Sequence, residues 1–172
     1  MVKLNLLNSL LADVEKTAVS IDFLEERAPD GVGVLLYQEL RRFSRSSLFK
    51  KYKAVIVLIP HKVLKKGHYI ALIPHKNHIE YFSSLGMSPH SELVKLKQEQ
   101  NIISNVLGSD FVYNRRALQN THDYNVNTCG AFVYLRTKFY EMSLQQFQKL
   151  FTPVSLHNPD EIASMLVLSA WI

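Results

Sequence analysis

The chain has 172 residues, of which 47% are hydrophobic and 20% are charged, with six Gly, six Pro and a formal net charge of +5. A chain of this length can bury roughly two-thirds of its unfolded surface around one core. The composition excludes collagen-like, coiled-coil and disordered classes. We therefore expect a single domain over residues 1–172, with a helical N-terminal part at 1–50 and a core at 51–172 that carries the chemistry.

The chain has one cysteine, Cys129. A lone cysteine excludes an intramolecular disulfide and any multi-cysteine metal site, and it fits a reducing compartment. The longest apolar run, at residues 54–60, is far shorter than the roughly 20 residues of a membrane helix. The first eleven residues lack the continuous apolar core and cleavage site of a signal peptide. We expect no metal, no other cofactor, no membrane partner and no secretion.

Residues 41–66 contain nine Lys and Arg and no Asp or Glu. One interpretation is a solvated basic face. The other is a sequence-independent surface for DNA or RNA, because contacts to phosphate release counterions. In the second interpretation Lys50, Lys51 and Lys53 are the candidate contacts.

The apolar spacing changes along the chain from a helical to a strand pattern and back. Helical spacing predicts three N-terminal helices, at residues 4–14, after a Ser20 cap, and at 34–43. Short apolar runs predict three strands of one mostly antiparallel sheet, the last two forming a hairpin, at residues 54–59, 68–73 and 78–83.

The C-terminal half is predicted to be mainly helical. Helices are expected from Pro89 to Gly108, from Cys129 to Tyr140, over 144–151 behind a Ser143 cap, and over 161–168 with Asp160 near its start. A short strand is expected at residues 110–114. Helices before and after a run of strands define the α+β class.

Cys129 is the candidate nucleophile, since the start of a helix favours a thiolate and lowers the thiol pKa. Gly130 beside it would let a substrate backbone approach. The alternative is that a lone cysteine behaves as a small buried hydrophobe. A thiol nucleophile also needs a base. Of the seven histidines, His68 is the best placed, because it opens an apolar strand at a sheet edge.

Three segments resemble, in order, the sequence boxes of one protease superfamily: residues 67–73 (GHYIALI), 79–86 (IEYFSSLG) and 127–133 (NTCGAFV). The superfamily is that of the adenovirus maturation protease and the ubiquitin-like-protein proteases. The resemblance runs from residue 55 to about 167. It is strongest to the small capsid-maturation proteases of virophages and Maverick/Polinton elements. It implies a papain-like cysteine protease core of the adenovirus-protease type.

The resemblance implies that Cys129 is the nucleophile and His68 the general base. The position of the family's orienting Asp or Glu holds Ser83 instead. A hydroxyl can accept the imidazole N–H and fix the tautomer. The alternatives are a Cys–His dyad, Glu80, which a strand directs to the opposite face from Ser83, and Asn77.

The family's oxyanion hole joins the N–H of the cysteine to an upstream glutamine side chain, because developing negative charge needs preorganised donors. Gln119, ten residues before Cys129, matches that glutamine. The gap is longer than usual, so Asn125 and Asn127 are the alternatives.

The function that the resemblance implies is a cysteine endopeptidase that processes viral capsid precursor proteins during virion maturation, cutting after small residues such as glycine. The enzyme would act in the virion and the host cell cytoplasm. Two rival hypotheses are a ubiquitin-like-protein protease acting on host substrates, and an inactive structural protein that binds nucleic acid.

Overall fold

The computed structural model describes residues 19–64, 66–120, 127–152 and 158–169. In these ranges a five-stranded sheet has helices on both faces, so the predicted α+β class is confirmed. The strands are β1 (Val32–Leu36), β2 (Ala54–Pro60), β3 (Gly67–Pro74), β4 (Ile79–Ser83) and β5 (Phe111–Tyr113). The helices are α1 (Ile21–Arg27), α2 (Arg45–Lys51), α3 (Pro89–Lys95), α4 (Asn101–Leu107), α5 (Cys129–Lys138), α6 (Leu144–Lys149) and α7 (Pro159–Ser169), with a 3-10 helix at Tyr37–Arg42.

The sheet order is β1-β2-β3-β4-β5. The predicted antiparallel hairpin is present, with β3 paired antiparallel to both β2 and β4. Both outer pairings, β1 with β2 and β4 with β5, are parallel. The sheet is therefore mixed, because helical crossovers rather than hairpins connect the outer strands.

Residues 34–43 do not form the predicted helix. Val32–Leu36 is a strand and the 3-10 helix follows it. Val34 pairs with Ile56 of β2, so strand pairing overrides the local helical spacing. The predicted Ser20 cap is confirmed, since its Oγ accepts a 3.1 Å hydrogen bond from the Phe23 N–H. The predicted helix at 4–14 lies outside the described residues.

The predicted helix from Pro89 to Gly108 is two helices, α3 and α4. Lys97 has φ = 57°, and a left-handed residue just after a helix reverses the chain. The end of α3 is fixed to the loop between β2 and β3, because the Lys62 N–H donates to the Leu96 carbonyl at 3.1 Å. This bond holds the loop and the end of α3 side by side.

The sheet separates two apolar cores. Tyr69, Ala71 and Ile73 of β3 face α1, α5, α6 and α7, whereas Ile70 and Leu72 face the 3-10 helix and α2 to α4. Alternation along a strand sends neighbouring side chains to opposite faces. Within the described ranges, no helix is long and apolar enough to cross a membrane.

Candidate active site

A cleft of about 350 Å³ opens where β3 and α5 both begin. His68, Glu92, Gln119 and Cys129 all line this cleft. The cleft therefore brings together the nucleophile, base and amide predicted from sequence, and it adds a carboxyl group. No group of three or more potential metal ligands occurs among the described residues.

Cys129 is the first residue of α5 and is half-buried. Burial raises the pKa of its thiol, while hydrogen bonds from the backbone amides of Tyr69 and Gly130 act in the opposite direction. The expected lowering by the helix start is therefore wrong, because desolvation outweighs it. A thiol whose pKa is raised needs a base to become a nucleophile.

Gly130 does not line the cleft as expected. A Cβ at this position would lie 2.6 Å from the Val19 Cβ. The glycine therefore lets the start of α5 pack closely against residue 19, rather than admitting a substrate backbone.

His68 is the second residue of β3 and is 6% exposed. Its Nε2 lies 3.2 Å from Ser83 Oγ and 3.1 Å from Glu92 Oε1. Ser83 thus contacts the imidazole as the sequence predicted. The same nitrogen also faces a carboxylate, which the sequence analysis did not find.

Glu92 lies on α3 and is 1% exposed. Its Oε1 accepts a hydrogen bond from Ser83 Oγ at 2.9 Å, and its Oε2 accepts one from the Tyr81 hydroxyl at 2.5 Å. These bonds fix both carboxylate oxygens, one of them against His68. The carboxylate beside His68 therefore comes from a helix, α3, and not from β4, where the resemblance predicted the orienting residue.

A sequence signal for Glu92 existed. Pro89 stands three residues before it and Leu96 four residues after it, so Glu92 falls within the apolar stripe of α3. A carboxyl group on the buried face of a helix is uncommon without a partner. Its partners here, Tyr81, Ser83 and His68, lie on β3 and β4, which the sequence alone does not indicate.

Burial disfavours charge on both His68 and Glu92. It lowers the pKa of His68 to about 3, with the Lys95 charge acting in the same direction. Burial raises the pKa of Glu92 to about 7, against the hydrogen bonds from Tyr81 and Ser83 and the charge of Lys95. Both shifts favour a neutral imidazole, and the carboxylate is ionised above about pH 7. In the tautomer that carries its proton on Nε2, the ring donates to this carboxylate, and Nδ1 is the nitrogen that can accept a proton.

The other two candidates for the orienting residue lie elsewhere. Glu80 is on the opposite face of β4, where both its oxygens accept hydrogen bonds from Arg136 at 2.7 and 2.8 Å and His75 lies 3.1 Å away. Asn77 is in the turn beyond the end of β3, whereas His68 is at its start. Neither side chain is beside His68.

Gln119 lines the same cleft as Cys129 and is held in place by Ser84. Ser84 Oγ donates to Gln119 Oε1 at 2.8 Å, and the Gln119 backbone N–H donates to the Ser84 carbonyl at 3.1 Å. These contacts orient the amide, and its role in the oxyanion hole stays a prediction. Of the alternatives, Asn127 also lines the cleft, and Asn125 lies outside the described residues.

Asp160 of α7 positions the residues around the nucleophile. It is 2% exposed and accepts hydrogen bonds from the Asn120 backbone N–H at 2.7 Å and from Thr128 Oγ1. Asn158, not Asp160, caps α7, because its Oδ1 accepts from the Glu161 N–H at 2.9 Å. Asp160 therefore joins the residue after Gln119 to the residue before Cys129.

Lys50, Lys51 and Lys53 are exposed at and just after the end of α2. The three arginines of the basic run, in contrast, form ion pairs: Arg41 with Glu99 at 2.7 Å, Arg42 with Glu39 at 3.9 Å and Arg45 with Asp110 at 2.6 Å. None of the three lysines has an ion pair among the described residues. Binding of nucleic acid by them stays a prediction.

No protein-family model and no curated protein matches the chain. Solved structures that are similar to it include the SUMO protease Ulp1 with its catalytic cysteine oxidised to a sulfonic acid, at 18% identity and a TM-score of 0.32, over 94% of this chain and 75% of that one. Another is the C-terminal Ulp1 protease domain in complex with Smt3, the yeast ortholog of SUMO, at 18% identity and a TM-score of 0.33, over 96% and 76%. Similarity at this level does not establish a shared fold or activity.

Proposed function

We propose that the chain is a cysteine endopeptidase of the adenovirus-protease and ubiquitin-like-protein-protease superfamily. One observation carries the proposal: the thiol at the start of α5 shares a cleft with a histidine whose Nε2 faces a buried carboxylate. A nucleophile, a base and a group that orients the base are the parts that thiol proteolysis needs. The three sequence boxes support the same class.

In this mechanism Glu92 holds the Nε2–H of His68, so Nδ1 takes the thiol proton of Cys129. The thiolate attacks the peptide carbonyl, and the Cys129 N–H and the Gln119 amide stabilise the oxyanion. His68 then returns the proton to the departing amine. Water, deprotonated by His68, hydrolyses the thioester, and the proton returns to the thiol.

Ser83 acts with Glu92 rather than instead of it. Its hydroxyl donates to Glu92 Oε1 and lies 3.2 Å from the imidazole. A carboxylate stabilises a transient imidazolium more than a hydroxyl does. Glu92 therefore supplies the negative charge, and Ser83 helps to hold it against the ring.

The substrates are, in this proposal, viral capsid precursor proteins, cut after small residues such as glycine during virion maturation. The enzyme would act in the virion and the host cell cytoplasm. The resemblance to capsid-maturation proteases supports these points. The presence of Glu92 beside His68 weakens the rival hypothesis of an inactive structural protein, which drew on the missing acid.

The test is incubation of the purified chain with the capsid precursor encoded by the same genome and, separately, with a ubiquitin-like fusion protein. Intact-mass measurement of the fragments identifies the cut bonds. We expect cleavage of the capsid precursor, and none by Cys129→Ala or His68→Ala. Cleavage of the fusion alone would favour the host-directed protease, and cleavage retained by Cys129→Ala would contradict any thiol mechanism.

A further inference from the structure

One wall of the cleft is basic and apolar. The loop between β2 and β3 contributes Leu64 and Lys66 to it, and the end of α3 contributes Lys95 and the next residue, Leu96. Leu85, just after β4, adds a third apolar side chain. The mechanism proposed above uses none of these five residues, so the wall is available to bind the substrate.

Internal hydrogen bonds hold the loop in this position. His61 Nδ1 accepts from the N–H groups of Val63 at 3.1 Å and Leu64 at 3.0 Å, and the His61 N–H donates to the Lys66 carbonyl at 2.7 Å. The bond from Lys62 to Leu96 joins the loop to the end of α3. A wall formed before the substrate arrives costs little ordering entropy on binding.

The charge of the wall is not neutralised within the described residues. Lys66 and Lys95 are exposed, and neither forms an ion pair there. The acid among the described lining residues is Glu92, which is buried and bonded to Tyr81 and Ser83. Lys95 lowers the pKa of both His68 and Glu92, so its charge acts directly at the reacting groups.

We propose that this wall selects substrate segments that carry an acidic side chain next to an apolar one, close to the cut bond. The Asp or Glu pairs with Lys66 and Lys95, and the apolar side chain packs on Leu64, Leu85 and Leu96. The occupant is an extended peptide segment of a protein substrate. The inference rests on the proposed endopeptidase function and names its substrate class.

In the first experiment the purified protein digests a pool of proteome-derived peptides. Sequencing of the new peptide termini then gives the residue preference at each position near the cut bond. Matched fluorogenic peptides with Glu or Gln at the preferred position then give the ratio of kcat/KM values. We expect about a fivefold preference for Glu that decreases with added salt, because salt screens exposed charges. Because each variant is tested with both peptides, a general effect of the substitution on catalysis cancels in the ratio of the two kcat/KM values.

The variants Lys66→Glu and Lys95→Glu should each lower the Glu-to-Gln ratio, and the double variant should bring it to one or below. Lys62→Glu is the matched control, because Lys62 lies in the same loop without lining the cleft, and it should keep the wild-type ratio. Peptide cleavage with equal rates for Glu and Gln would overturn this inference alone. No cleavage of any peptide by the wild-type chain would overturn the endopeptidase function together with it.

Discussion

At the scale of single residues, Glu92 fixes the position of the His68 ring. Its carboxylate lies 3.1 Å from His68 Nε2 and accepts hydrogen bonds from Ser83 and Tyr81. Because both side chains are buried, these contacts hold the orientation of the imidazole ring. Ser83 of β4 and Glu92 of α3 thus face the same imidazole nitrogen, one from a strand and the other from a helix.

Glu92→Gln should lower kcat/KM about 100-fold, because an amide cannot stabilise the imidazolium as a carboxylate does. The pH profile gives a second readout. The pKa of Glu92 is raised to about 7, so the ionised form is lost below that pH, and the wild-type rate should fall about tenfold per pH unit there. Glu92→Gln should lose this acid limb.

Tyr81→Phe is the matched control for that profile. The Tyr81 hydrogen bond lowers the pKa of Glu92, so its removal should keep the acid limb and move it to higher pH. The profiles are measured with one peptide substrate. An unchanged acid limb in Glu92→Gln would show that another group titrates.

At the scale of elements, α7 and α5 are coupled through one hydrogen bond beside the nucleophile. Asp160 accepts from Thr128, which immediately precedes Cys129, and also from the backbone of Asn120. The last described helix therefore helps to set the position of the thiol relative to Gln119.

Thr128→Val should lower kcat about tenfold with little change in KM, because a small misplacement of reacting groups is costly. The valine has nearly the same shape but cannot donate to Asp160. Thr128→Ser keeps the hydroxyl and should retain most of the wild-type kcat. Equal activities of the two variants, compared at a temperature where both are folded, would argue against this coupling.

A second coupling joins β4 to α5 on the face away from His68. Glu80 and Arg136 are 1% and 0% exposed and form two hydrogen bonds. Glu80→Gln leaves a buried guanidinium without its counter-charge, so the free energy of unfolding should fall by about 3 kcal/mol. Denaturant unfolding measures this loss.

Glu26→Gln is the control for that change, because its ion pair with Arg27 is exposed and such pairs contribute little. The folded fraction of Glu80→Gln should keep the wild-type kcat/KM and pH profile. A large activity loss without a stability loss would instead place Glu80 in the catalytic site.

At the scale of the whole molecule, the three lysines that are candidate DNA contacts lie on a different element from the cleft. Lys50, Lys51 and Lys53 belong to α2 and the residues after it, whereas the β2–β3 loop and α3 form the wall of the cleft. Any binding of DNA by the three lysines is therefore expected to be separable from proteolysis.

Charge reversal at Lys50, Lys51 and Lys53 should weaken DNA binding and reduce the slope of log affinity against log salt by roughly one per lost phosphate contact. Arg41→Gln is the control, because Arg41 already pairs with Glu99, and it should change the slope little. Titrations with labelled duplex DNA at several salt concentrations measure both. Wild-type binding that does not vary with salt would contradict the predicted surface.

The local residue pattern was sufficient to predict many of the helices and strands of this protein. The strands predicted at residues 54–59, 68–73 and 78–83, the Ser20 and Ser143 caps and the helix that begins at Cys129 are all found in the structure. These features depend on side chains within a few residues of one another. Cys129 and His68 were candidates from sequence because the start of a helix and the start of a strand are local properties too.

Contacts between distant segments could be identified only from the tertiary structure. Val34 belongs to a strand because it pairs with Ile56 of β2, and Glu92 meets His68 because α3 packs on the face of the sheet to which β3 directs that histidine. Burial, rather than position at the start of a helix, determined the direction of the Cys129 pKa. Pairing, burial and desolvation depend on segments far apart in the chain, so the residue pattern of any one segment could not specify them.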